Sequence, residues 1–172
     1  PAEFAPQRAV WVAPPHNVET WPGCLDRAQR QFEDMTTAIA RHTPVQTTEA
    51  HGIATNDSWM RDFGPIFVTR PTPGDAAHRS DGTRERAAHD FVFNGWGEKY
   101  EQRDADDRVP RRIAAQLGLP CWSHELVLEG GAIDTNGAGV LMTTAPCLLE
   151  AGRNPQLTRA QLERALHEAF GT

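Results

Sequence analysis

Residues Asn56-Asp57-Ser58-Trp59-Met60-Arg61-Asp62-Phe63-Gly64-Pro65 crowd two carboxylates, a guanidinium and an indole together and then close on a Gly-Pro turn. Charged groups at this density cost too much desolvation for an ordinary core, and the aromatics are too many for an ordinary surface. A chain that contains such a segment must fold so as to set it at the rim of a cleft. Two acids beside a flat aromatic face form a seat for a flat cation. If the segment is extended, Asp57, Trp59 and Arg61 face one side and Ser58, Met60 and Asp62 the other. Asp57 and Arg61 then have two readings, part of a site or a structural brace in which Arg61 pairs with Asp57 or with a remote acid. Asp62 stands where the chain turns at Gly64-Pro65, a rim position.

The 172 residues suffice for one domain with its own core, and 39% hydrophobic with 23% charged residues is a globular composition. A net charge of −6 argues against nucleic acid as a partner and is compatible with a cationic substrate. No apolar run approaches the roughly 20 residues of a membrane helix, so no membrane partner is expected. Pro1-Ala2-Glu3-Phe4 lacks the basic and apolar regions of a secretory signal. Cys24, Cys121 and Cys147 are odd in number, far apart and without zinc-type spacing, which reads as reduced thiols in a cytoplasmic protein. The histidines are scattered, with no pair at i, i+4 on a helix, so neither a metal nor another cofactor is expected.

Along the chain, Val10–Ala13 reads as a buried strand. Leu25, Ala28, Phe32, Met35 and Ile39 step by three and four along one helix face, which Thr43-Pro44 ends. Ile66–Thr69 reads as a strand, residues 70–90 as a long surface loop, and Phe91–Phe93 as a further strand. Asp106 or Asp107 is placed to cap a helix carrying Ile113 and Leu117, with Pro110 in its first turn. Leu126–Leu128 is a strand that runs into Glu129-Gly130-Gly131. Asp134–Gly139 is a hairpin turn returning through Val140–Thr143. Thr158 and Gln161 form a capping box ahead of a helix whose apolar face is Leu162, Ala165, Leu166 and Ala169. Hairpins alternating with single helices give a mixed α/β fold, with no boundary dividing residues 1–172 into two domains.

Three places set polar groups beside glycine. The first is the opening cluster. In the second, Glu129 ends an apolar strand and precedes two glycines, so it either points into a cleft that the backbone approaches closely or merely opens a turn. The third, Asn94-Gly95-Trp96-Gly97-Glu98-Lys99-Tyr100, reads as a shaped loop for lining or packing. Cys147 has no evident base or cationic neighbour and reads as a buried structural thiol. Taken without any family, Asp62 and Glu129 also match the carboxylate pair of a glycosidase beside sugar-stacking tryptophans.

These motifs together resemble the agmatine deiminase and bacterial-type (Porphyromonas-type) peptidyl-arginine deiminase family. The resemblance is carried by Trp11 with Pro15-His16-Asn17 and Thr20-Trp21-Pro22-Gly23, by Asn56-Asp57 through Gly64-Pro65, and by Phe93-Asn94-Gly95-Trp96-Gly97. It continues through Leu128-Glu129-Gly130-Gly131, then Thr143-Thr144 with Cys147-Leu148-Leu149, then Arg153-Asn154-Pro155-Gln156-Leu157. It implies part of a pseudo-fivefold α/β propeller of the guanidine-modifying superfamily. It also implies hydrolysis of a small cationic guanidinium substrate, agmatine or peptidyl-arginine, through a cysteine thiouronium intermediate. Asp62 and Glu129 would be catalytic carboxylates that grip the guanidinium, with Trp59 stacked beside it as a substrate-binding residue. Guanidinium is a planar fork of donors that stays protonated, and carboxylates and an indole face match it.

The departures from the family pattern are as informative. Its His-x-Asp motif and its C-terminal Ile-His-Cys nucleophile do not occur in these residues, and Cys147 matches an internal cysteine that is not the nucleophile. Only 11 residues separate Pro44 from Asn56, where the family places a strand, a helix and another strand. The expectation is an N-terminal half of such an enzyme, inactive alone and prone to homo-oligomerise through exposed strand edges.

Overall fold

The structure, a computed structural model, describes residues 1–71 and 84–171. The three-and-four spacing after Gly23 produces helix α1 (Leu25–Ala40), which connects the parallel strands β1 (Val10–Val12) and β2 (Val45–Thr47). Only Ala28 of its apolar face is buried, and Met35 stays exposed. Between Pro44 and Asn56 the chain makes β2 and one 3-10 turn (Glu49–His51).

The main sheet has the order β3-β4-β5, from β3 (Ile66–Pro71), β4 (Arg84–Val92) and β5 (Cys121–Val127). β3 and β4 are antiparallel. β4 and β5 are parallel, joined through a crossover that contains α4 (Val109–Gln116). This corrects the expected surface loop over residues 70–90: both of its ends are strand, while residues 72–83 lie outside the described residues. The polar stretch from Ala87 to Asp90 is central strand, buried on both faces. Its polar groups are satisfied from remote elements. Asp90 accepts from Arg111 and from Ser123, each at 2.6 Å, and His89 Nδ1 lies 2.7 Å from His124 Nε2.

A register shift interrupts the ladder between Asp90 and Val92, which pairs again with Val127, and the two phenylalanines expected on one strand part company. Phe91 joins one core with Leu126, Leu128, Leu148, Leu162 and Leu166. Phe93 joins another with Ala13, Ile53, Phe63, Val109 and Ile113. The first core is closed by α6 (Arg159–Phe170), whose capping box is present as expected. The expected hairpin also forms, from β6 (Ile133–Thr135) and β7 (Leu141–Thr143).

The expected cap of α4 does not form. Arg108 precedes the helix without a side-chain cap, and Asp106 and Asp107 bond elsewhere, as described below. Leu117 falls just past the helix end and is exposed, because Gly118 adopts a left-handed φ of +62° and turns the chain away. No helix among the described residues is long and apolar enough to cross a membrane.

His89 is 3% exposed and surrounded by Phe91, Trp122 and Phe170 at 5.3–5.6 Å between ring centres. Burial, and then the neighbouring His124, push its pKa down to about 4, with the Ala169 carbonyl opposing. The unfolded chain takes up this proton near pH 6.5 and the folded chain only near 4. The contribution is therefore whole above pH 6.5 and is lost as pH falls toward 4, amounting to about 3 kcal/mol. Urea unfolding between pH 7 and 4 will show a shallower acid loss for His89→Gln than for the wild type; parallel curves would contradict it.

Candidate functional site

The opening cluster is not extended. Residues Met60–Phe63 form a single helical turn, α2, with Asp62 N–H and Phe63 N–H both donating to the Trp59 carbonyl at 2.9 and 3.2 Å. Packing decides this. Met60 and Phe63, three apart, both turn into the core, where Phe63 meets Phe93 edge-on at 5.9 Å. The same period places Trp59 and Asp62 together on the open side. Trp59 is 38% exposed, and Asp62 is half-buried.

Three aromatic side chains wall this position. Trp59 lies nearly parallel to Trp21, with ring centres 6.3 Å apart and planes at 18°, and meets Trp96 edge-on at 5.8 Å. The Trp96 indole N–H donates to Asp62 Oδ2 at 3.1 Å. Trp96 reaches it from α3 (Gly95–Glu98), a turn in which its own φ is +59°, a costly conformation for an aromatic residue. The Asn94 side chain holds that turn, accepting from Gly97 N–H at 2.9 Å and donating to the Gly152 carbonyl at 2.7 Å. Of the lining or packing expected of this loop, packing is seen: Trp96 packs against the core beside Phe93. Its hydrogen bond to Asp62 was not legible, because no local pattern announces a pairing across 34 residues.

Asp57 is fully buried and forms no pair with Arg61; of the two structural pairings expected for Arg61, the one with a remote acid is found. Arg61 pairs with Glu3 at the surface, both side chains being more than half exposed, a contact worth about 0–1 kcal/mol. Asp57 instead accepts from neutral donors: Thr20 Oγ1, the Ser58 amide at 2.8 Å, the Ser58 hydroxyl at 3.2 Å and the Tyr100 hydroxyl at 3.1 Å. Thr20 precedes Trp21, and Tyr100 ends the Trp96 loop. One carboxylate therefore ties together the three segments that carry the aromatic walls. Asn17 adds a bond to Tyr100 at 3.1 Å.

Glu129 follows β5 and is 2% exposed. Gly130 abuts the Arg61 carbonyl and Gly131 abuts Asp62 Oδ1, so a Cβ at either position would collide with α2. This close approach brings the Glu129 loop against the Asp62 turn. Glu129 itself accepts from Arg153 Nε through both oxygens, at 2.9 and 3.1 Å. Arg153 also pairs with Glu150, which pairs with Lys99 at 2.8 Å. The Glu129 partner is thus a guanidinium of the chain's own, a contact the local pattern did not reveal.

Of the remaining candidates, Ser58 belongs to this centre through Asp57, while Ser123 and Cys147 lie on other elements. Cys147 lies in α5 (Ala145–Leu148) and is half-buried rather than buried. Ser58 bonds Asp57, and Ser123 bonds Asp90. Among the described residues no three His, Cys, Asp or Glu groups are arranged to hold a metal ion. Asp106 is fully buried, and its pKa is pushed up to about 7, first by burial and further by Asp57; the Asn56 and Asp57 amides and His16 pull the other way.

A mixed α/β scaffold thus presents an acid and an indole from one turn, walled by further tryptophans. The chain belongs to the Porphyromonas-type peptidyl-arginine deiminase family, whose sequence profile it matches over residues 1–172. It is 33% identical to an agmatine deiminase of Medicago truncatula over 195 residues, covering 99% of this chain and 50% of the relative. It is 37% identical to a Yersinia pestis protein, provisionally named an agmatine deiminase, over 192 residues and the same shares. The agmatine deiminase of Enterococcus faecalis superimposes with a TM-score of 0.85 at 30% identity, covering 97% of this chain and 49% of that one. The fold is therefore that of this family in part. The chain spans about half the length of the curated relatives it matches.

The Glu129–Arg153 pair gives a direct test of the site's scaffolding. Arg153→Met will leave a buried carboxylate unpaired and cost about 3–5 kcal/mol in chemical denaturation, and Glu129→Gln added to it will recover most of that loss. Equal stability of the single and double variants would contradict the pairing.

Proposed function

We propose that this chain is the guanidinium-gripping part of a deiminase that hydrolyses a small guanidinium substrate, with agmatine yielding N-carbamoylputrescine and ammonia. The observation that carries the reading is the presentation of Trp59 and Asp62 side by side on the open face of α2. Asp62 Oδ2 spends one lone pair on Trp96, and its remaining acceptor capacity meets a planar fork of N–H donors. Trp59 offers its exposed face to the same cation. Glu129 retains acceptor capacity beyond its bond to Arg153, and the two glycines after it abut the Asp62 turn, which supports it as the second carboxylate.

A thiolate that attacks the guanidinium carbon, and a histidine that carries the proton to departing ammonia, would come from groups equivalent to the half of the relatives this chain does not match. The carboxylates and indole would fix the face of the guanidinium that meets the thiolate, a positioning contribution of several kcal/mol. Residues 1–172 act as one domain in this reading, in a cytoplasmic protein. Agmatine is favoured over peptidyl-arginine by the relatives that carry the agmatine deiminase name. A non-catalytic cation-binding module is the second reading, resting on the same seat. The glycosidase reading loses ground, because Glu129 is buried against Arg153 rather than flanking an open sugar site.

Calorimetry on this chain separates these outcomes. Agmatine will bind, Asp62→Asn will weaken it about tenfold or more through loss of a charge-assisted hydrogen bond, and Trp59→Ala will weaken it several-fold. No agmatine binding, or binding indifferent to Asp62, would contradict the proposal. Incubating the full gene product with agmatine and assaying ammonia and the ureido product then tests the reaction; binding without turnover would support the module.

A further inference from the structure

We propose that Asp106 is a positioning residue of the guanidinium seat, acting with its neighbour Asp107 as a jig that sets the Asp62–Trp96 pair. This rests on the seat proposed above and concerns residues outside every motif that carries the family resemblance. Asp106 and Asp107 lie in the 3-10 turn before α4. Asp106 Oδ1 accepts the Asn56 amide at 2.7 Å and the Asp57 amide at 3.3 Å. In return, Asn56 Oδ1 accepts the Ala105 amide at 2.7 Å and the Asp106 amide at 3.2 Å. Four bonds thus clasp two turns face to face, each side chain capping the backbone of the other.

The adjacent residue performs the matching task on the other half of the seat. Asp107 Oδ1 accepts the Phe93 amide at 2.8 Å. Phe93 leads directly into the Asn94–Trp96 turn, as Asn56-Asp57 leads into Trp59 and Asp62. Two consecutive carboxyl groups on one short turn therefore grip the two backbone segments whose side chains meet in the Trp96–Asp62 hydrogen bond. Arg111, one helical turn further on, donates to the Asp107 carbonyl at 3.2 Å and anchors the turn to Asp90 in the sheet.

A brace that served stability alone would bond one segment to the scaffold. This turn instead sets two site segments relative to each other, and a binding site is sensitive to that distance. Asp106 also keeps its second oxygen buried without a partner, so the clasp is held at a cost a surface brace would not bear. Removing the Asp106 acceptor should let the Asn56-Asp57 turn drift and lengthen the Asp62–Trp96 contact. Asn at position 106 keeps an oxygen where Oδ1 accepts and should preserve the seat.

The test reads the seat itself. In a ¹H–¹⁵N spectrum of the labelled chain, the Trp96 indole N–H is assigned by its loss in Trp96→Phe and its shift in Asp62→Asn. Asp106→Ala is expected to move that resonance toward the position it takes in Asp62→Asn and to weaken agmatine binding about tenfold. Asp106→Asn should leave the resonance in place and the affinity within about twofold of the wild type. A folded Asp106→Ala with an unchanged Trp96 resonance overturns the proposal, as does an Asp106→Asn that behaves like Asp106→Ala. If Asp106→Ala does not fold, Asp107→Ala, at a third-exposed side chain, replaces it with the same expected shift, and no shift there overturns the proposal equally. If the wild type binds no agmatine, the guanidinium reading falls, while the Trp96 resonance still decides the role of Asp106.

Discussion

A carboxylate buried without a cation, Asp57, is the interaction on which the rest of the site depends. Its oxygens are met by neutral hydroxyls and one amide from Thr20, Ser58 and Tyr100. Neutral donors satisfy a buried acid without introducing a second charge to desolvate, and each can belong to a different loop. The loop after β1, the α2 turn and the Trp96 loop are joined there, and each brings a tryptophan to the same place. The proposed cation seat would thus be assembled around an acid that does not touch the cation.

Glu129, which is buried, and Asp62, which is half-buried, divide the work differently. Glu129 is held by Arg153, so its charge is matched inside the chain. Asp62 is half-buried, and its carboxylate accepts from the Trp96 indole N–H, with no cationic partner among the described residues. In the proposed reading an arriving ligand would bring its positive charge to Asp62, a role that suits a permanently protonated group better than a titrating amine.

Local pattern sufficed wherever a segment's own residues decide its conformation. Helices α1 and α6 and the β6–β7 hairpin follow from apolar spacing, the Thr158–Gln161 capping box and the turn at Asp134–Gly139. Long-range packing decided the rest. Arg84–Asp90 reads as loop because it is small and charged, yet Arg111, Ser123 and His124 make it a central strand. The α2 turn reads as extended until Phe63 is seen against Phe93. For the site, Trp59, Asp62 and the Glu129 loop were legible as candidates from glycine, acid and indole chemistry, and the structure sets them on adjoining turns. The partners that hold them, Asp57 with Thr20 and Tyr100, Trp96 with Asp62, and Arg153 with Glu129, join residues 24 to 43 positions apart, a range no spacing rule reaches.

A crystal structure of this chain grown with agmatine would examine the seat directly. The guanidinium should lie across the exposed face of Trp59 with its N–H groups on Asp62, while the Trp96–Asp62 hydrogen bond is kept. Agmatine ordered elsewhere on the acidic surface, with the Trp59 face empty, would contradict a cation seat built by α2 and the two loops tethered to it through Asp57.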